Sequence, residues 1–103
     1  MKFKFYLLKD KNIIGTNNIY EWGKMFEDFK SRIIAQDNFR EILISTVFLG
    51  INHGFDEEKP LLFETMIFGG KNDGYTDRYN TYSEAEEGHK KAVELVRNEL
   101  YKD

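Results

Sequence analysis

EILISTVFLGI (residues 41–51) and LLFETMIF (residues 61–68) decide the fold. In the first segment Ile42, Ile44, Thr46 and Phe48 fall on one side of an extended chain. Leu43, Ser45, Val47 and Leu49 fall on the other. Both sides are largely apolar and rich in β-branched and aromatic residues. The segment therefore reads as a central strand, covered on both faces or covered on one and used for contact on the other. The second segment is its twin. Residues 52–60 between them are too few for a helical crossover, so the pair forms an antiparallel hairpin.

Working outward, Gly69 to Gly74 is a turn and Tyr75 to Asn80 a third strand of the meander. Thr81-Tyr82-Ser83-Glu84 has the spacing of a capping box and opens the clearest helix in the chain. Ala85, His89, Ala92, Val93, Val96 and Leu100 line one side of it, and Lys90, Lys91, Glu94, Arg97 and Glu99 lie mostly on the other. Towards the N-terminus, Arg32 to Gln36 reads as a short strand followed by a turn near Asp37-Asn38. Asn18 to Phe29 reads as a helix, with Asn18 as its cap and Trp22, Met25, Phe26 and Phe29 as an apolar stripe. Gly23 on that helix would allow a close approach to a neighbour. Lys2 to Leu8 alternates as a half-buried strand, then Asp10-Lys11-Asn12 turns into the short apolar piece Ile13-Ile14, ended by Gly15. The order β-α-β-β-β-β-α predicts an α+β fold: a mainly antiparallel sheet of four to five strands with two helices packed on one face.

The chain has 103 residues, the size of one domain spanning 1–103. Nine Phe, six Tyr and one Trp can bury a substantial core. A net charge of −3 offers no basic field for a phosphate backbone, which argues against generic nucleic-acid binding. The absence of cysteine excludes disulfides, thiolate catalysis and cysteine-type zinc sites. The apolar stretch within Met1 to Leu8 is too short for a signal-peptide core, and no run approaches a membrane span, so a cytoplasmic location is expected. No motif implies a cofactor.

Four polar residues stand out. His89 sits on the apolar side of the last helix, beside Gly88, which would let the backbone approach the sheet. Such an imidazole is either a core histidine bonded to a backbone carbonyl or a functional group. Glu64 lies mid-strand between Leu62 and Met66; if buried it needs a partner, and Arg78, His53 or His89 would serve. The loop carrying His53, Asp56, Glu57 and Glu58 matches no metal-binding pattern, so no metal is expected there. Gly69-Gly70-Lys71 fails the spacing of a phosphate loop. Trp22, Phe48 and Phe63 are candidates for a partner-binding surface, because aromatics anchor interfaces.

The run Ser45-Thr46-Val47-Phe48-Leu49-Gly50, His53 and Phe55, then Pro60 through Phe68, resembles a family of small phage and prophage proteins. Arg78-Tyr79, Thr81, Glu84-Ala85, Gly88-His89 and Glu21-Trp22-Gly23-Lys24 continue the likeness over residues 18–96. The resemblance bears on provenance more than on mechanism. It implies a phage-type protein in the cytoplasm of a host cell, acting by binding a host or phage protein, for instance to block a defence system. A homodimer or partner would cover an exposed apolar sheet face. A second expectation is a nucleotide-like small ligand held by His53, Glu64, Arg78 and His89. A third is a hydrolase with His89 or His53 as base and Glu64 as its orienting group.

Overall fold

The computed structural model describes residues 3–101, so Lys2, which the alternation places in the first strand, lies outside them. β1 (Phe5–Lys9) and β2 (Asn12–Thr16) form an antiparallel hairpin. Asp10 and Lys11 close it with φ of 50° and 69°, the left-handed conformations that a two-residue turn between twisted strands requires. α1 (Ile19–Glu27) starts at Asn18, whose side chain accepts bonds from the Tyr20 and Glu21 N–H groups. The helix stops short of Phe29. Asp28 instead caps a second, single-turn helix, α2 (Phe29–Arg32), by accepting from Ser31. Arg32 then lies over the rings of Phe26 and Phe29, and its Nη1 donates to the Phe48 carbonyl.

β3 (Ile33–Phe39), β4 (Ile42–Phe48), β5 (Phe63–Phe68) and β6 (Thr76–Tyr79) make one antiparallel sheet in the order β3-β4-β5-β6. The two strands read first in the sequence are thus the central pair. β3 runs past the turn expected at Asp37-Asn38, which are paired with Ile44 and Leu43. The turn falls at Arg40, with φ of 57°. α3 (Tyr82–Tyr101) is opened by the capping box, with Thr81 N–H and Oγ1 bonded to Glu84 and the Glu84 N–H returned to Thr81. α3 packs across all four strands.

The fold class is therefore α+β with an antiparallel sheet and a helix packed on it. Two details depart from the sequence reading. The N-terminal hairpin is a sheet of its own, and α1 packs mainly on β1 and α2 rather than beside α3. The reason is local: Trp22 stacks on Phe26, meets Phe5 at a tilt and donates its Nε1–H to the Gly50 carbonyl. The same carbonyl accepts the Tyr6 N–H. Gly50 holds this corner at a φ of 77°, with the Trp22 indole so close that a Cβ would meet it at 2.9 Å. Gly23 makes no close approach, since a side chain there would point into open space.

The core lies between the sheet and α3 in two apolar clusters. One joins Ile42, Ile44 and Ile67 to Ala92 and Val96. The other joins Phe48, Leu62, Phe63 and Tyr79 to Ala85, with Tyr6, Leu8, Ile13 and Met25 packed against it from the hairpin and α1. Among the described residues no helix is long and apolar enough to cross a membrane.

Candidate functional site

Between those two clusters runs a buried polar chain. His89 faces the sheet one turn from Ala85 on α3, and its Nδ1 lies 2.6 Å from Thr46 Oγ1 on β4. Thr46 Oγ1 lies 2.5 Å from Thr65 Oγ1 on β5. On the other side of the ring, Nε2 donates to Asp37 Oδ2 on β3 at 2.8 Å. His89 is thus a core histidine, bonded to side chains rather than to a backbone carbonyl. Gly88 permits the approach, because a Cβ there would fall 2.1 Å from the Tyr79 ring.

The bonding is self-consistent in either charge state. With a neutral imidazole, Nε2–H donates to Asp37 and Nδ1 accepts from Thr46, whose oxygen accepts from Thr65. With an imidazolium both nitrogens donate and the two hydroxyls turn round. An acid, an imidazole and a hydroxyl in series are the parts of a nucleophile relay. Thr46 and Thr65 are fully buried, however, so no substrate carbonyl can reach either oxygen. The arrangement supplies cohesion across three strands and a helix, not turnover.

The Tyr79 hydroxyl is buried beside this chain and has no hydrogen-bond partner among the described residues. Burial raises its pKa; Thr65 is near enough to offset part of that without bonding it in good geometry, and Asp77 and Tyr75 add to the rise. Burial likewise raises Tyr75. In the range above the ordinary value of 10.0 the folded state keeps protons that the unfolded chain has lost. Stability is therefore whole below pH 10 and falls as the pH climbs through the folded-state values. Urea unfolding of Tyr79→Phe should show a shallower alkaline loss than the parent. At pH 7 the two should agree to within about 1 kcal/mol, because the lost hydroxyl had no partner.

Glu64 and Arg78 do find one another: Arg78 Nε donates to Glu64 Oε2 at 2.9 Å across the β5–β6 pair. They project from the opposite face of the sheet to His89, since each alternates with a residue facing α3. His53 is exposed in the loop between β4 and β5, its N–H bonded to the Leu61 carbonyl. The four candidates for ligand binding therefore do not converge. The nucleotide-like site built from all four is set aside, as is a His–Glu hydrolase. Phe48 and Phe63 are corrected as well: both are 0 % exposed, their rings tilted against each other with centroids 5.2 Å apart beneath α3, and so are core residues. Trp22 is half-buried and holds α1 to the Gly50 corner.

The uncovered face carries something else. Leu43 and Val47 on β4, Met66 and Phe68 on β5 and Phe29 on α2 surround a shallow depression of about 380 Å³. Phe29 and Phe68 are 51 % and 45 % exposed at its rim. No family model, curated protein or solved structure matches the chain. The sheet face itself is therefore what carries a functional reading. Leu43, Val47 and Met66 make an apolar floor on the two central strands that α3 does not cover.

Proposed function

We propose that this is a non-enzymatic phage-type protein that binds a host or phage protein through the uncovered face of its sheet, with counter-defence as the biological setting. The observation that carries the reading is the apolar floor of Leu43, Val47 and Met66 on the two central strands, opposite α3. The sequence resemblance supports the phage setting. The burial of both threonine hydroxyls supports a binding role over a hydrolytic one.

Met66 is half-buried on the face that α3 leaves uncovered, so a charge there can reach water in the free protein and would be desolvated in a contact. Met66→Glu should keep the parent melting temperature to within a few degrees. It should lose any protein that the parent enriches reproducibly from lysate of infected cells. Lys91→Glu, on the exposed side of α3, should retain it. Enrichment that survives Met66→Glu would sink the proposal.

A further inference from the structure

We infer that residues 5–27 form a flap that opens and closes over one end of the core as a single cooperative unit, with Asp28 as its hinge and the Gly50 carbonyl as its latch.

The contacts inside the flap are dense. β1 and β2 are tied into a ladder from Phe5 opposite Thr16 to Lys9 opposite Asn12. The rings of Phe5, Trp22 and Phe26 join the hairpin to α1, with successive centroids 4.8 and 4.7 Å apart. Glu21 on α1 adds two further ties to the hairpin, accepting from Thr16 Oγ1 at 3.4 Å and pairing with Lys9 at 3.8 Å.

The attachment to the rest of the domain is slighter. Apart from the junction at Asp28, the hydrogen bonds that leave the flap among the described residues end on one atom. The Gly50 carbonyl accepts the Tyr6 N–H at 2.9 Å and the Trp22 indole N–H at 3.1 Å. Beyond these, Lys11 lies 5.5 Å over the Tyr82 ring, and Phe26 faces the Arg32 guanidinium at 4.1 Å. Tyr6, Leu8, Ile13 and Met25, all partly buried, rest on the cluster of Phe48, Leu62 and Phe63.

Burial marks the flap as the weaker part. α1 buries no residue, and the hairpin buries Leu7 alone, which alternation puts on the Phe5 side, opposite Tyr6 and Leu8. In the body Ile44, Phe48, Phe63, Ile67 and Val96 are all 0 % exposed. A region with few buried apolar contacts opens at a lower free energy than the core it flanks. Asp28 supplies the pivot. Its N–H closes α1 on the Met25 carbonyl and its side chain opens α2, at a φ of −85° and a ψ of 84° that belong to neither helix. Such a junction absorbs a rotation without disturbing α2 or β3. Off the body, a lone two-stranded hairpin and a nine-residue helix are marginal in water, so the flap's own bonds dissolve once the latch parts. Opening bares the side of Phe48, Leu62 and Phe63 on which the flap rests, so the latch sets how often that end of the core meets solvent.

The test is native-state hydrogen exchange of the full chain, followed amide by amide by NMR. The slowest amides of β1, β2 and α1 should share one opening and exchange roughly a hundredfold faster than the slowest of β4 and β5. Val96→Ala, in the cluster of Ile42, Ile44 and Ile67, should speed the β4 and β5 amides roughly tenfold or more. It should leave the flap amides as they were, because the body is intact whenever the flap alone is open. Trp22→Phe keeps an aromatic ring and loses the latch bond. It should speed both sets by the same factor, roughly fivefold, since that bond is broken in either opening. Flap amides sped by Val96→Ala as much as those of β4 and β5 would overturn the inference, for the chain would then open only as a whole. Protection that rises step by step from Phe5 to Glu27, with no shared opening, would overturn it too, as the fraying of a terminus.

Discussion

Phe63→Ala should remove about 3–5 kcal/mol of folding stability, the cost of emptying a large aromatic site that cannot fully collapse. Phe63 touches Phe48 at 5.2 Å and Tyr82 edge-on at 5.9 Å, and none of its surface is exposed. For a domain with a total stability of about 5–15 kcal/mol, that loss is a large fraction. Met66→Ala, three residues along the same strand but on the other face, should cost about 1 kcal/mol, because its side chain is only partly buried and no helix packs over it. Urea midpoints for the two variants test the assignment of faces directly. Equal losses would mean that the second face is also covered within the monomer and that no contact surface is left there.

Thr46→Val should cost about 2–3 kcal/mol although it changes shape hardly at all. It removes the oxygen that stands between His89 Nδ1 and Thr65 Oγ1, leaving both without their partner in a dry site. The diagnostic feature is non-additivity. With Thr65→Val and His89→Leu added, the variant strands neither hydroxyl nor imidazole and Asp37, 48 % exposed, returns to water, so the triple variant should recover most of the loss. A triple variant as unstable as the sum of three singles would mean that the hydroxyls and the imidazole act independently. Chemical denaturation of the four proteins at one pH decides it.

Much of this architecture is legible in the residues. The alternation in 42–49 and 61–68 identifies the central pair, Thr81 and Glu84 announce α3, and a mid-strand carboxylate at Glu64 calls for the arginine it has. The site is less legible, for physical reasons. Gln36-Asp37-Asn38 has the composition of a turn, and only an imidazole 52 residues later gives Asp37 a place on a strand. Thr46 and Thr65 look like ordinary β-branched strand formers. Their sole distinguishing mark is a hydroxyl among Ile42, Ile44, Phe48, Phe63 and Ile67 on the same face. Phe48 and Phe63 were assignable to a partner surface because both faces of β4 are apolar. Alternation separates the two faces, but it does not say which one the final helix will cover.

The buried polar chain also works as an alignment key. A slip of β4 against β5 by two residues keeps every side chain on its own face, so greasy packing alone resists it weakly. Here such a slip would set Thr46 opposite Phe63 or Ile67 rather than Thr65, and the hydroxyl would lose its mate. Rotating α3, or sliding it by a turn, would carry His89 off both Thr46 and Asp37 in the same way. Three interlocked contacts thus single out one alignment among several that an all-apolar core would accept. The same four side chains should therefore set the yield of correctly paired molecules on refolding, and not only their stability once folded.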